Sequence, residues 1–214
     1  MINLELEPYI KQIHRWPKRG RFILAQYDSD SIIVYQAYKP SIATYAVKHG
    51  YFGGSFRLRR MTWIKPNFLW MMYRCGWASK PGQEVVLAIR IKRIAFDEIL
   101  SMSVHSIYKP GVYKSYSEWK RQVSESEVRL QWDPDHDPQG KASERKAIQL
   151  GLRGQMIKKY SKDWIIDIQD ITDFVVSHRQ VASSDDYATL VTPKEDIYPV
   201  KDADLVKRLE LTKD

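Results

Sequence analysis

The sequence predicts an α+β fold: a single domain with a central sheet, mostly antiparallel or mixed, flanked by short helices. Short runs rich in β-branched and aromatic residues alternate with amphipathic segments, which is the pattern of strands separated by helices. A length of 214 residues with 43% hydrophobic content is enough for one core. No run approaches the ~20 apolar residues that a membrane-spanning helix needs, so we expect no membrane partner.

The chain divides into three predicted parts. Residues 1–21 form a peripheral segment that ends in the basic turn RWPKRGR. Residues 22–179 form the α+β core. Residues 180–214 form an acidic tail, with eight acids and five bases from Ser183 onward, which we expect to be loosely attached or partly disordered.

The first half of the core predicts strand, helix, buried helix and strand. SIIVYQAY, Ser31 to Tyr38, is a buried strand, and a short helix follows from Pro40 to the stop at Gly50. Pro66 and Gly76 flank a second helix, NFLWMMYRC. EVVLAIRIKR then predicts a central strand, and IAFDEILSM the helix after it.

The second half predicts further short elements. SYSEWKRQV is a helix with Ser115 or Ser117 as its cap, and VRLQW is a strand. DPDHDPQG is a long turn. KAIQLGL predicts a strand, RGQMIKKYSKD a helix and DWIIDIQDI a last strand.

The net charge of +8 is unevenly distributed along the chain. Residues 1–93 carry 16 Lys and Arg against 5 Asp and Glu, a net of +11, whereas residues 94–214 carry 18 against 21, a net of −3. Such a bias raises the local concentration of anions such as nucleic acid or nucleotide phosphate. The alternative interpretation is a solvated basic surface.

The segment RRMTWIKPNFLWMMYRCGW combines a buried helix with cations and no acid. The helix is apolar on nearly every side and therefore belongs in the core. Arg60, Lys65 and Arg74 bracket it, and a buried unpaired charge is costly, so each must contact water, a carboxylate or a ligand. A phosphate at the N-terminus of this helix would gain from its free N–H groups, from Lys65 and from the Thr62 hydroxyl. Arg153, at the strand-to-helix junction QLGLRG, is a further candidate phosphate ligand.

Other chemistries have weaker sequence support. DPDHDPQGKASE has calcium-loop acids, but Pro138 replaces the glycine of the sharp turn, and neither Cys nor a second His has zinc spacing, so no metal site is predicted. Cys75 falls at the end of a predicted helix and is interpreted as inert packing. A single Cys and an N-terminus without a signal-peptide pattern favour the cytoplasm.

Several long motifs carry a family resemblance. VYQAY, RMTWIKPNFLWMMYR, KPGQEVVLAIRI, VRLQWDPDHDP and AIQLGLRG resemble the domain-of-unknown-function family numbered 4291, from about Phe22 to Phe174. That family name implies no activity.

The order of elements also resembles the ADP-ribosyltransferase fold, especially its branch that acts on nucleic acid. This resemblance implies NAD as a candidate cofactor, with Tyr35 on the strand that holds it and Thr62 to Arg74 lining the pocket. It places Gln149 near the late catalytic position, with Glu144 upstream. The family usually has Glu on that strand, so this sequence departs from the pattern there.

Two functions remain as hypotheses. The first is an enzyme that acts on a nucleotide or nucleic acid by ADP-ribosyltransferase-like or phosphotransferase-like chemistry. Its candidate residues are Tyr35, Arg60, Thr62, Trp63, Lys65, Arg74 and Arg153 for binding, and Glu144 and Gln149 for catalysis. The second is a non-catalytic nucleic-acid-binding module, with the same cations along a backbone and Trp63, Tyr51 or Trp77 as stacking platforms.

Overall fold

Twelve strands and eight helices make up the part of the chain that the computed structural model describes, residues 2, 4–184 and 186–212. The strands are β1 (Leu6–Pro8), β2 (Gly20–Arg21), β3 (Leu24–Ala25), β4 (Ser31–Tyr38), β5 (Thr62–Ile64), β6 (Val85–Lys92), β7 (Ser103–His105), β8 (Val128–His136), β9 (Ala142–Leu152), β10 (Ile165–Asp170), β11 (Val191–Pro193) and β12 (Asp196–Ile197). The helices are α1 (Tyr9–Arg15), α2 (Pro40–His49), α3 (Phe68–Cys75), α4 (Arg93–Met102), α5 (Tyr116–Glu125), α6 (Gly154–Lys158), α7 (Thr172–Ala182) and α8 (Ala203–Arg208), and a π-helical turn at Lys159–Asp163 follows α6. The predicted α+β class is confirmed.

Two sheets form the framework. Strands β10, β6 and β4 make an antiparallel sheet in that order, and β2, β9, β8 and β7 make a mixed sheet in which β2 and β7 pair in parallel with their neighbours. Strand β5 pairs antiparallel with β9. Immediately after β5, the Lys65 carbonyl accepts a hydrogen bond of 2.7 Å from the Tyr35 amide of β4. The segment Thr62–Lys65 therefore belongs to both sheets.

The antiparallel sheet is buried on both faces. Along β4, Ile32 and Val34 lie in one hydrophobic cluster, together with residues of α2, α4 and the mixed sheet, whereas Ile33 and Tyr35 lie in a second cluster with residues of α3 and α7. Strand β6 alternates in the same way. This explains why both strands are continuously apolar in sequence and could be recognised as buried strands.

The two termini pair with each other and with the core. Strand β1 pairs with β11 and β3 with β12, both antiparallel. Tyr9 and Trp16 of the N-terminal segment are buried, as are Leu190, Tyr198 and Leu209 of the tail. The predictions of a peripheral N-terminal segment and a loosely attached tail are therefore wrong for these residues. Acidic composition suggested disorder, but apolar residues spaced along the tail pack in the core.

Helix α3 confirms the predicted buried helix. Asn67 caps it, since its Oδ1 accepts a 2.7 Å hydrogen bond from the Trp70 amide, and Gly76 ends it with a φ of 58°. Six of its eight residues are buried, whereas Tyr73 and Arg74 are exposed. Trp70 stacks in parallel with Tyr73 and with His136 of β8.

Trp70→Ala is expected to lower the free energy of unfolding by roughly 3–5 kcal/mol, because removal of a buried large aromatic leaves a cavity. Arg74→Ala, on the same helix four residues later, should change it by no more than about 0.5 kcal/mol, as exposed positions do. Urea unfolding followed by circular dichroism measures both. Equal stability of the Trp70 variant and the wild type would contradict the packing of α3.

Candidate functional site

A cleft of about 780 Å³ opens beside β5. Its walls come from the end of β4, the loop from Gly54 to Met61, β5 itself and one side of α3. The cleft therefore lies at the point where the two sheets meet, and several of its residues come from the segment that the sequence singled out.

The cleft is lined by cations without acids. Lys39, Arg57, Arg60, Lys65 and Arg74 all line it, and no Asp or Glu does. Within the described part of the chain, none of these five side chains has an ion pair or a hydrogen bond. Four of them are exposed, so water can solvate them. Lys65 is the exception.

Lys65 is 5% exposed, directly follows β5 and is paired with Tyr35 of β4. Burial, followed by the nearby Arg74 guanidinium, lowers the pKa of the Lys65 ammonium to about 8, although Asp133 and Cys75 oppose this shift. The side chain therefore gives up its proton much more readily than an ordinary lysine. A buried lysine with a lowered pKa in a cleft is a recurrent feature of functional sites.

Fixed polar groups form one wall of the cleft. The Gln36 amide nitrogen lies 2.7 Å from the Thr62 hydroxyl and 2.8 Å from the Tyr38 hydroxyl, and these two hydroxyls are 2.6 Å apart. Tyr160 donates to the Gln36 amide oxygen at 2.7 Å, which orients the amide. Burial raises the pKa of Tyr38 and of Tyr160 well above the ordinary value, so both remain neutral. Two hydroxyl groups are thus held in place beside the cations.

The negative charge of Asp133, on β8, favours the protonated form of Lys65. Its two carboxylate oxygens accept hydrogen bonds of 2.8 Å from the amides of Gln131 and Gln149. Sequence analysis did not single out Asp133, because its proximity to Lys65 depends on the pairing of β5, β9 and β8.

The predicted site residues separate into two groups. Arg60, Thr62, Trp63, Lys65 and Arg74 all line the cleft. Tyr35, Glu144, Gln149 and Arg153 do not. The residues of the first group lie close together in the sequence, within one segment, whereas those of the second group come from distant parts of the chain.

Tyr35 and Arg153 have structural partners instead. Tyr35 is completely buried, and its ring packs edge-on against Phe68, with centroids 5.5 Å apart, so it cannot stack on a bound base. Arg153 donates to the carbonyls of Ser126, at 2.9 Å, and Ser124 at the end of α5. The prediction that Arg153 joins the other cations in one pocket is wrong, because the end of β9 directs its side chain toward α5.

The two predicted catalytic residues are also elsewhere. Glu144 is exposed near the start of β9, whereas the cleft contacts β5 alongside the end of that strand. Gln149 is bound to Asp133 and positions that carboxylate. Neither side chain reaches the cleft, so the roles that the ADP-ribosyltransferase resemblance implied for them do not fit this geometry.

The N-terminus of α3 is already occupied by a protein carboxylate. Glu195, 1% exposed, accepts a 2.6 Å hydrogen bond from the Phe68 amide and a 2.9 Å bond from the Asn67 side chain. The predicted phosphate at this helix terminus is therefore wrong, since the Glu195 carboxyl group of the C-terminal segment takes up these donors. Burial raises the pKa of Glu195 well above its ordinary value, against the opposing effect of the Phe68 hydrogen bond.

Other predicted features can be placed as well. Trp77 is 8% exposed and donates to the Pro138 carbonyl at 3.1 Å, so it is not a free stacking platform. The Tyr51 hydroxyl lies 3.2 Å from that of Tyr45, outside the cleft. Among the residues with assigned positions, no three metal-ligating side chains cluster together, and no helix has the length and hydropathy to cross a membrane.

The fold and the cleft together define an α+β domain with a cation-lined cleft at the junction of its two sheets. The chain belongs to the family described as Domain of unknown function (DUF4291), which matches residues 22–198. The match extends past the predicted core into the tail and includes Glu195. No curated protein matches the chain. The family match adds no support to the ADP-ribosyltransferase resemblance.

Proposed function

We propose that the protein is an enzyme that binds a nucleotide or nucleic acid through phosphate groups in the cleft. The observation that carries this proposal is the set of five cations, free of protein partners among the described residues, in a cleft without carboxylates. Like charges held close together are unfavourable, and a phosphate that contacts several of them removes that repulsion. Burial is the main cause of the lowered pKa of Lys65, and the nearby Arg74 guanidinium adds to it.

Aromatic rings beside the cations support a nucleotide over a simple anion. Trp63 and Phe56 line the same cleft and are only partly buried, so part of each ring is open to a base, although Phe56 also stacks on Phe52. NAD meets these requirements as a candidate ligand, and ADP-ribosyl transfer and phosphoryl transfer remain the proposed reaction classes. The non-catalytic nucleic-acid module is the alternative, which Trp63 and the exposed arginines would also serve.

The recessed Lys65 and the paired hydroxyls of Tyr38 and Thr62 favour the enzyme. A binding module needs cations and rings on an accessible face, whereas convergent polar groups at the base of a cleft are typical of an active site. Turnover of NAD or a nucleoside triphosphate in the presence of nucleic acid would distinguish the two. Binding without any turnover would favour the module.

Arg60→Ala and Arg74→Ala are each expected to weaken binding of a nucleotide or oligonucleotide about tenfold or more, because a charge-assisted hydrogen bond contributes roughly 1.5–3 kcal/mol. Arg59→Ala is the matched control, since Arg59 precedes Arg60 and is exposed but does not line the cleft. Fluorescence anisotropy with a labelled oligonucleotide and calorimetry with ATP measure the dissociation constants.

The salt dependence of the binding constant distinguishes a nucleic acid from a mononucleotide, because the slope of log K against log salt scales with the number of phosphates contacted. For a single strand, loss of one phosphate contact should reduce the slope of log K against log salt by about 0.7. If Arg59→Ala and Arg60→Ala weaken binding equally, the cationic surface acts without the cleft and the proposal fails.

We further propose a cytoplasmic location, where nucleotides are available, and fractionation of cells that produce the protein would test it.

A further inference from the structure

Lys65 differs from the other cations of the cleft in burial and in chemistry. The four others are exposed: three are arginines, which stay protonated, and the fourth is Lys39. Lys65 alone among the five is buried, and it projects from the segment that both sheets hold. Its amine is therefore positioned by the framework instead of by a flexible loop.

An amine in this setting is suited to nucleophilic chemistry. A lysine becomes a nucleophile when it loses its proton, which desolvation and a neighbouring cation promote. The charged and titratable groups that act on Lys65 are Arg74, which disfavours the ammonium, and Asp133 and Cys75, which favour it. The balance leaves a buried amine that is available in its neutral form near physiological pH.

We propose that the Lys65 amine forms an imine with a phosphorylated aldehyde bound in the cleft. This inference rests on the proposed function, since the arginines hold the phosphate while the aldehyde carbon reaches Lys65. The amine lone pair attacks the carbonyl carbon, and the carbonyl π electrons move to its oxygen. The nitrogen then loses its protons to that oxygen as water leaves and the C=N bond forms, with no net oxidation or reduction.

The cleft contains the other groups that such a reaction uses. Tyr38 and Thr62 present hydroxyls on its wall; one of them donates to the other, which leaves one hydroxyl proton for the carbonyl oxygen. Arg57, Arg60 and Arg74 provide the charge for a phosphate. An aldehyde without phosphate would lack this anchor, so the phosphate should direct the reaction to Lys65.

The probe is pyridoxal 5′-phosphate, a phosphorylated aldehyde, followed by borohydride, whose hydride reduces an imine to a stable secondary amine. Peptide mass mapping of the wild-type chain at limiting reagent should show Lys65 as the main modified lysine, ahead of the exposed Lys39 and Lys48. Pyridoxal without phosphate should label Lys65 at least tenfold less. Inorganic phosphate should compete with the labelling.

Lys65→Arg keeps the positive charge but cannot form the imine, so it should abolish this adduct while phosphate binding persists. Lys48→Arg, at an exposed lysine that does not line the cleft, is the control and should leave labelling of Lys65 unchanged. Labelling spread evenly over exposed lysines would overturn the imine proposal, and the binding data for Arg60→Ala would still decide the proposed function separately. If Lys65→Arg does not fold, the wild-type map and its competition by phosphate decide the question.

Discussion

A chain truncated after Arg179 is expected to lose cooperative folding. The truncation removes Leu190, Tyr198 and Leu209, which are 0%, 2% and 0% exposed, together with strands β11 and β12. Burial of each large apolar side chain contributes roughly 1.5–3 kcal/mol, and the whole domain is expected to be stable by only about 5–15 kcal/mol. This expectation reverses the sequence-based prediction that residues 180–214 are a loosely attached or partly disordered tail.

Urea unfolding followed by circular dichroism, with size-exclusion chromatography, measures this effect. A chain that ends at Val200 keeps Leu190 and Tyr198 but loses Leu209, so it should be intermediate between the truncated and full-length proteins. If the chain ending at Arg179 unfolds in one sharp transition at the full-length midpoint, the tail contributes nothing to the core and the packing described above is incorrect.

Glu195→Ala should lower the free energy of unfolding by about 2–5 kcal/mol. The change leaves the Phe68 amide and the Asn67 side chain without their acceptor, and each unsatisfied buried donor costs roughly 1–3 kcal/mol. Asp196→Ala is the matched control, because Asp196 is the next residue and its exposed side chain pairs with Arg15, a contact that should contribute less than about 1 kcal/mol.

The pH dependence of stability tests the state of the same carboxyl group. Burial raises the pKa of Glu195 above its ordinary value of 4.5, so the folded state holds the proton more tightly than the unfolded state does. Its contribution is therefore fully present below pH 4.5 and is lost as pH rises through the folded pKa. Glu195→Gln should show a weaker fall in stability over this window, and identical pH profiles for the two proteins would contradict the assignment.

Local sequence signals located the central elements accurately. Strand β4 and helix α2 have the predicted bounds, because both faces of the strand are buried and Pro40 and Gly50 mark the helix ends. The predicted turn DPDHDPQG was partly wrong, since β8 continues to His136. Pairing with β9 overrides the turn-forming residues there, and Asp135 forms a buried ion pair of 2.6 Å with Arg145.

Only those site residues that lie close together in the sequence could be predicted. Arg60, Lys65 and Arg74 lie within one segment, so a search for unbalanced cations found them. The wall residues Gln36 and Tyr38 come from a strand whose composition indicates only burial. Glu195 reaches Asn67 across 128 positions of the sequence, and no local pattern marks a carboxylate that will cap a distant helix.

The short segment Thr62–Lys65 pairs with β9 on one side and with β4 on the other, and its last residue is the buried lysine of the cleft. The segment that joins the two sheets thus also carries the unpaired charge of Lys65, whose burial lowers the stability of the folded protein. Replacement of Lys65 by an apolar residue would remove that cost, so stability and the proposed phosphate binding make opposite demands on this one position. Under the proposed function, a phosphate bound beside Lys65 would pair with this charge and stabilise the segment that joins the two sheets.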